Sequence, residues 1–340
     1  MLKTDFSYEE LRNFEVKTLV VSSASLKGNP LKDSFKRYNQ VLVPKTKKTN
    51  LPVVFILSGF AGNGSKYFNV RFHEQNFPQL IDKQVSQKLA PKALYVFVDA
   101  LTFWGGAQFV NSVGTGNYED YLIEDLLPEV QNNFSVSSQA KHYCVMGGSS
   151  GGYGALHLAS KYPRCFGTFA ATAPDSFFQM SLLPEIYTAL PLLHKYKGNL
   201  TLIKEDLIEE RFFRGKNAFS LLNAIGMGVC YAPSLKRKNK VLWPVNYETG
   251  ELDSAIWEQW LAFDPVNFLP QRWQNLKLIK NKYLDVGVYD QYYLQYGSRM
   301  IKNTFKDHKI SLKYEEFEGN HNDISKRRPQ VLEWLNRVWK

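Results

Sequence analysis

The sequence predicts an α/β fold: a mainly parallel central sheet with helices on both faces and one cap-like insertion. Apolar, β-branched segments alternate with segments of helical periodicity along most of the chain, as strand–helix–strand units require. This alternation stops at about residue 175 and resumes near residue 264. With 340 residues, of which 44% are hydrophobic, the chain is predicted to form one large domain, 1–340, containing an insertion at 175–264.

Four strands and one helix are predicted before the middle of the chain. The strands are apolar runs at 14–21, 35–43, 51–57 and 93–100. The helix spans 118–134, where apolar residues recur four apart. Asn117 is its candidate N-cap, and Pro128 is expected to kink it.

The second half continues the pattern on both sides of the insertion. Strands are predicted at 142–146, 166–174, 276–287 and 310–319. Helices are predicted at 151–163, 291–307 and 328–340. Strands separated by helices pair in parallel, so their carboxyl ends meet at one edge of the sheet, where ligands bind in such folds.

The stretch CVMGGSSGGYGAL, from 144 to 156, joins a predicted strand directly to a predicted helix. A strand, a G-x-S-x-G pentapeptide and a helix form a nucleophile elbow, a tight turn that exposes a serine oxygen at the sheet edge. Two registers fit, with Ser149 or Ser150 as the nucleophile. Ser149 has the shorter connection to the strand and a further glycine after the motif, so we favour Ser149.

A serine nucleophile needs a base and an acid, in the chain order Ser, Asp or Glu, His. Of the six histidines, His321 lies in a GNHND loop between the last predicted strand and helix, at the expected edge of the sheet. Two carboxylates precede it, Asp285 at a strand end and Asp290 in the following loop. Asp290 is favoured because a loop residue can reach an imidazole more easily than a residue at a strand end, and Asp285 remains the alternative.

The second oxyanion donor is expected in the loop after an earlier strand. The run FILSGFAGNGSKYFN, at 55–69, fits, so the amides of Phe60 and Ser150 are the candidate donors. A phosphate-binding loop is disfavoured because this run lacks the Walker spacing. Gly59 and Trp104, which also follow strands at this edge, are candidate substrate-binding residues.

Several motifs together resemble those of the putative esterase family of α/β-hydrolases, which includes S-formylglutathione hydrolases, enterochelin esterases, feruloyl esterases and mycolyltransferases. The matching pieces are LSGF (57–60), GNYEDYLIEDLLPEV (116–130), GGSSGGYGAL (147–156), DVGVYDQYYL (285–294) and EGNH (318–321). The resemblance implies an α/β-hydrolase fold with nucleophile Ser149, acid Asp290, base His321 and oxyanion amides at Phe60 and Ser150. Ala61 and Gly62 stand where S-formylglutathione hydrolases usually have a Thr-Cys pair, so the subfamily stays open.

Composition limits the partners. The net charge is +10, but the basic residues form short clusters with no nucleic-acid-binding motif, and solvated loops are favoured over a nucleic-acid interface. The clusters are Lys45, Lys47, Lys48; Lys236, Arg237, Lys238, Lys240; and Lys326, Arg327, Arg328. There is no apolar run of membrane-spanning length. A charged N-terminus and three widely spaced cysteines lead us to expect a cytoplasmic protein without disulfides or a metal site.

These observations predict a serine esterase that hydrolyses a carboxylic ester or thioester through an acyl-enzyme, with a small-molecule substrate and no cofactor. An acyltransferase with the same triad is the first alternative. A non-catalytic binding module on this fold is the second, and the complete set of Ser, Asp and His disfavours it. The sequence does not determine the acyl group, the leaving group or the oligomeric state.

Overall fold

The computed structural model describes residues 11–70, 74–209, 216–236 and 240–340. Residues 1–10 of the charged N-terminus and Arg237 and Lys238, considered above, lie outside the described residues. The described part contains one eight-stranded sheet and two small two-stranded ladders.

The sheet has the strand order β1-β2-β4-β3-β5-β6-β7-β8. Its strands are β1 (Phe14–Ser22), β2 (Lys36–Pro44), β3 (Val53–Leu57), β4 (Leu94–Phe97), β5 (Tyr143–Gly148), β6 (Thr168–Thr172), β7 (Asn281–Gly287) and β8 (Lys313–Phe317). Strand β2 is antiparallel to both β1 and β4, and every pair from β4 through β8 is parallel. The carboxyl ends of β3 to β8 therefore share one edge.

The helices before the insertion are α1 (Phe77–Ser86), α2 (Tyr118–Asp120), α3 (Leu127–Asn133) and α4 (Ser150–Lys161). Those within 175–264 are α5 (Phe178–Ser181), α6 (Leu183–Lys195), α7 (Leu200–Ile208), α8 (Lys216–Tyr231) and α9 (Ser254–Leu261). Those after it are α10 (Pro265–Gln271), α11 (Trp273–Leu278), α12 (Leu294–Asp307) and α13 (Arg328–Val338). Short 3₁₀ helices span Gly64–Phe68, Ala140–His142 and His321–Arg327.

The sheet separates two hydrophobic cores, because successive side chains of a strand point to opposite faces. In β3, Phe55 packs into the core that includes α4, α12 and the insertion, whereas Ile56 packs into the core that includes α1 and α13. All five residues of β3 are buried, as expected for a central strand covered on both faces. The predicted α/β fold, with helices on both faces of a mainly parallel sheet, is thus confirmed.

Several local predictions differ from the structure. The strand predicted at 276–287 begins only at Asn281, because its first residues belong to α11. The strand predicted at 310–319 is limited to Lys313–Phe317. The sequence analysis also missed α1, although Asn76 and Gln79 form a capping box at its start.

The helical segment at 118–133 differs in its cap and in its interior. The Asn117 side chain makes no capping hydrogen bond; instead, Asn111 Oδ1 accepts from the backbone N–H groups of Glu119 and Asp120, both at 3.1 Å. A π-helical stretch, Tyr121–Leu126, precedes α3. Pro128, the second residue of α3, has no N–H to donate, and the helical segment continues through this point because Leu126 and Leu127 keep helical backbone angles. The kink expected at Pro128 stays a prediction.

One basic cluster is not a solvated loop. Arg327 Nε donates to Asp285 Oδ2 at 2.8 Å and its Nη2 donates to Glu315 Oε2 at 2.6 Å. The Arg328 guanidinium stacks over the ring of Phe77. These arginines fasten the segment from His321 to α13 onto the sheet, so that cluster has a structural role. Across the described ranges, no helix has the length and apolarity needed to span a bilayer.

Candidate active site

Ser149 occupies the sharp turn between β5 and α4. Its φ of 57° and ψ of −129° lie in a region that non-glycine residues rarely adopt, at a cost of about 1–3 kcal/mol. The turn is held because Ser149 N–H donates to the Thr172 carbonyl oxygen at 3.0 Å. A Cβ on Gly147 would lie 2.6 Å from the backbone of Gly151, and one on Gly151 would lie 2.4 Å from the Leu57 carbonyl oxygen. Only glycine fits at these two flanking positions, as the motif requires.

The structure brings Ser149, His321 and Asp290 together in one hydrogen-bonded row. Ser149 Oγ lies 2.9 Å from His321 Nε2, and His321 Nδ1 lies 2.8 Å from Asp290 Oδ2. Asp290 is buried, and its Oδ1 accepts the Tyr292 N–H at 3.0 Å. The backbone N–H of His321 donates to Gln291 Oε1 at 3.0 Å, which ties the histidine loop to the segment that carries Asp290.

This row gives each imidazole nitrogen a different partner. A carboxylate can only accept hydrogen bonds, so the Nδ1 of His321 carries the proton that bonds Asp290. The Nε2 atom is then an acceptor, and it faces the hydroxyl of Ser149. A neutral imidazole in this tautomer can take a proton from the serine as Oγ attacks an electrophile.

Asp285, the alternative acid, lies in a different polar cluster. It is fully buried in β7, and its Oδ2 accepts from Arg327 Nε at 2.8 Å and from the Tyr283 hydroxyl at 3.0 Å. Burial raises the pKa of Asp285, although the bond from Arg327 opposes that shift. The hydrogen bond from Arg327 to Asp285 attaches the 321–327 helix to β7. Asp285 does not contact His321, whose Nδ1 bonds Asp290.

The candidate oxyanion amides lie beside Ser149. A Cβ on Gly59 would be only 3.6 Å from Ser149 Cβ, so the loop after β3 passes directly next to the serine. The Phe60 carbonyl oxygen accepts the Gly106 N–H at 2.7 Å, which restrains this loop. Ser150 is the first residue of α4, where a helix leaves its N–H groups without intrahelical acceptors.

Ser149 opens into a cavity of about 340 Å³. The sheet edge contributes Gly59, Phe60, Ser149, Ser150, Thr172 and Asp175 to its lining, and the loops after β7 and β8 contribute Tyr292, His321 and Ile324. The 175–264 segment contributes Ser181, Leu182, Phe219, Asn223 and Met227, and Lys66 and Arg328 also line it. The candidate substrate contact Gly59 thus borders the cavity.

Trp104 does not border this cavity. Its side chain is buried in the hydrophobic core and lines a separate depression with Phe103 and Lys204. A substrate contact at Trp104 stays a prediction that the lining of this cavity does not support. Its position after β4 suggested the catalytic edge, but the loop turns its ring inward.

The sequence analysis missed one carboxyl at the site. Asp175 follows β6, and its Oδ1 lies 3.3 Å from Ser149 Oγ while its Oδ2 accepts from Ser150 Oγ at 2.6 Å. An acidic residue just after a predicted strand that ends at the catalytic edge was an available signal. Among the described residues, no group of three or more His, Cys, Asp or Glu side chains is arranged to hold a metal ion.

Comparisons with known proteins agree with this architecture. The solved structure of a ferulic acid esterase superposes with a TM-score of 0.61 at 16% identity, covering 96% of this chain and 99% of that one. The fluorophosphonate-binding serine hydrolase F of Staphylococcus aureus gives a TM-score of 0.58 at 12% identity, covering 95% and 99%. The enterobactin esterase of Shigella flexneri gives 0.54 at 14% identity, covering 96% of this chain and 59% of that one.

At these identities the structural likeness establishes the α/β-hydrolase fold and not the substrate. A comparison with curated proteins finds no match. The family model described as "Putative esterase" matches residues 35–324, which include the turn at Ser149 and the His321 loop. Because this match spans most of the chain, the protein belongs to the putative esterase family.

Proposed function

We propose that this protein is a serine esterase that hydrolyses a small carboxylic ester or thioester through an acyl-enzyme on Ser149. The observation that carries the proposal is the hydrogen-bonded row of Ser149 Oγ, His321 Nε2 and Asp290 Oδ2 at the mouth of a cavity. Its family and the esterases among its structural neighbours support ester hydrolysis in general.

Acylation begins when Ser149 Oγ attacks the carbonyl carbon and its proton moves to His321 Nε2. Asp290 keeps the imidazole in the required tautomer and stabilises the imidazolium that forms. The imidazolium then gives its proton to the departing alcohol or thiol, which leaves the acyl group on Ser149. Water, deprotonated by His321, attacks the acyl carbon, and the acid product and free Ser149 are released.

The tetrahedral intermediates carry negative charge on the former carbonyl oxygen. The amides of Phe60 and Ser150 flank Ser149 from two different elements, and they are the proposed donors to this oxygen. Loss of one such donor typically lowers kcat about 10²- to 10³-fold. The hydrogen bond from the Gly106 N–H to the Phe60 carbonyl oxygen restrains one of these donors, and the start of α4 fixes the other.

The 175–264 segment acts in this proposal as a cap that shapes the acyl site. Its residues Leu182, Phe219 and Met227 give the cavity an apolar wall facing the sheet edge. No metal or organic cofactor takes part in the proposed steps. A cytoplasmic location stays a prediction from the sequence.

The test is hydrolysis of p-nitrophenyl esters from acetate to decanoate by the wild type, Ser149→Ala and Ser150→Ala. We expect Ser149→Ala to lose about 10⁴- to 10⁶-fold in kcat, because the Oγ of Ser149 faces His321 Nε2 whereas the Oγ of Ser150 bonds Asp175. Ser150→Ala keeps the backbone amide and should retain most of the activity. A fluorophosphonate should label the wild type and Ser150→Ala but not Ser149→Ala.

The opposite pattern, with activity and labelling lost only in Ser150→Ala, would place the nucleophile one residue later. A wild type that is neither labelled nor active on any ester would contradict the proposed function. The dependence of kcat/KM on chain length then measures the depth of the acyl site.

A further inference from the structure

The Ser149 hydroxyl has one hydrogen and two acceptors. His321 Nε2 lies at 2.9 Å and Asp175 Oδ1 at 3.3 Å from Oγ. In the proposed reaction this hydrogen is given to His321. Asp175 Oδ1 then has no donor from the serine, although it remains at hydrogen-bond distance from the reacting oxygen.

Asp175 is a buried carboxyl that lacks a cationic partner. It is only 7% exposed, and its Oδ2 accepts a 2.6 Å hydrogen bond from Ser150 Oγ. Within the described ranges, no Lys or Arg forms an ion pair with it. Burial raises the pKa of Asp175, and the bonds from the two serines and the proximity of His321 oppose that shift. A buried carboxylate oxygen without a donor is costly, so a donor that reaches Oδ1 is strongly favoured.

The surroundings hold Asp175 rigidly. Ala173, two residues before Asp175, adopts a φ of 44°, and its N–H donates to the Asp285 carbonyl oxygen at 2.7 Å. The next residue, Ser176, packs so closely on α12 that a Cβ on Gly297 would lie 2.3 Å from Ser176 Oγ. A carboxyl fixed on both sides is preorganised to bind a group of the substrate.

Asp175 also lines the cavity that Ser149 opens into. In the acyl-enzyme, the carbonyl carbon is bonded to Ser149 Oγ, and substituents on the adjoining carbon are three bonds from Oγ. A carboxyl oxygen 3.3 Å from Oγ is therefore placed next to such substituents. The longer remainder of the acyl group would meet the apolar wall formed by Leu182, Phe219 and Met227.

We infer that Asp175 is a specificity-determining residue that accepts a hydrogen bond from a hydroxyl or ammonium group on the carbon next to the scissile carbonyl. The substrate class is then the esters or thioesters of 2-hydroxy or 2-amino acids. This inference rests on the proposed function, since it assigns the acyl group of the same site. It predicts that acyl groups with a methyl or methylene in that position leave Asp175 without its donor.

The experiment compares three p-nitrophenyl esters of equal size: propionate, glycolate and glycinate. Each kcat/KM is divided by the rate constant for hydroxide hydrolysis of the same ester, which removes the difference in intrinsic reactivity. For the wild type we expect the glycolate, the glycinate or both to exceed the propionate by about 10- to 100-fold. Comparison of the glycolate with the glycinate shows whether Asp175 accepts a hydrogen bond from a hydroxyl or from an ammonium group.

Variants of Asp175 test its role directly. Asp175→Ala should abolish the preference, lowering kcat/KM for the glycolate and the glycinate by about 10- to 100-fold more than for the propionate. Asp175→Asn, which preserves the shape of the side chain, should reduce the preference for the ammonium ester more than for the hydroxyl ester. Asp307→Asn removes the same charge from an exposed position and should leave all three values unchanged. Thermal unfolding of each variant checks that the fold is intact.

Equal normalised values for the three esters in the wild type would overturn the inference and leave the esterase proposal standing. A parallel fall on all three esters in Asp175→Ala and Asp175→Asn would also overturn it, because a general loss of activity shows no selection of the acyl group. Absence of turnover of all three esters would count against the inference. Labelling of Ser149 by a fluorophosphonate decides separately whether the esterase proposal survives.

Discussion

Ser149 Oγ and His321 Nε2 lie 2.9 Å apart although 172 positions separate the two residues in the chain. The contact exists because the elbow after β5 and the loop after β8 open at the same edge of a parallel sheet. Asp290, from the loop after β7, completes the row. Three loops at one edge of the sheet thus place a hydroxyl and a carboxylate each within hydrogen-bond distance of one imidazole. Substituting each of these side chains separately tests its role in catalysis.

The two candidate acids can be separated by paired substitutions. Asp290→Asn should reduce kcat by about 10⁴-fold with little change in KM, because the neutral amide no longer enforces the imidazole tautomer or stabilises the imidazolium. Asp285→Asn should instead lower the free energy of unfolding by about 3 kcal/mol, since Arg327 loses its buried carboxylate partner. Steady-state kinetics and urea unfolding of both variants measure the two effects. A larger loss of kcat in Asp285→Asn than in Asp290→Asn would reverse the assignment of the acid.

The Phe60 ring packs closely against a glycine in α8. A Cβ at Gly226 would lie 2.2 Å from the Phe60 ring and 2.7 Å from the Trp104 carbonyl oxygen. Gly226→Ala should therefore displace Phe60 and reduce kcat, up to the 10²- to 10³-fold typical of losing one oxyanion donor.

Gly228→Ala is the matched control in the same helix. There a Cβ would meet the Val241 side chain at 2.5 Å and would not touch Phe60. It should change thermal stability more than kcat. If both variants retained the wild-type kcat at equal stability, the packing of Phe60 would have no bearing on catalysis.

A polar cluster between α2 and the C-terminal half of α4 should make the free energy of unfolding depend on pH. Glu119 accepts from Lys161 Nζ at 2.6 Å and from the Tyr162 hydroxyl, and it lies 2.6 Å from His157 Nε2. Burial alone would raise the pKa of Glu119, but these hydrogen bonds outweigh it and lower the pKa to about 2. A folded-state pKa below the unfolded value contributes stability above pH 4.5, and that stability is lost as the pH falls from about 4.5 towards 2.

Urea unfolding from pH 7 to pH 3 measures this contribution. Glu119→Gln should be less stable than the wild type at pH 7, and the difference should shrink below about pH 4.5. His157, whose pKa is lowered mainly by burial, should itself destabilise the wild type as the pH falls through its ordinary range. Glu248→Gln, at an exposed position, is the control and should follow the wild type. A pH-independent deficit in Glu119→Gln would contradict the proposed linkage.

Residue patterns within a short stretch of sequence were enough to predict β3 and the turn at Ser149. The apolar run of β3 and the glycines around Ser149 predict a buried strand and a tight turn, because a strand buried on both faces excludes polar residues and the turn excludes side chains. Where local signals compete, as at 276–280, the predicted strand was wrong and a helix end replaced its first part. Asn117 was wrong as a cap because Asn111, from a neighbouring loop, supplies the acceptor.

The sequence by itself determined the α/β class, the family motifs and the serine, histidine and aspartate types from which the candidate site is built. Only the tertiary structure decided which carboxyl contacts His321. Arg327 donates a hydrogen bond to Asp285, whereas Asp290 lies at hydrogen-bond distance from the imidazole. It also brought Asp175 beside Ser149 and turned Trp104 into the core. The reason is physical, because strand and turn formation depend on neighbours in the chain, whereas these contacts depend on which loops the folded sheet brings to one edge.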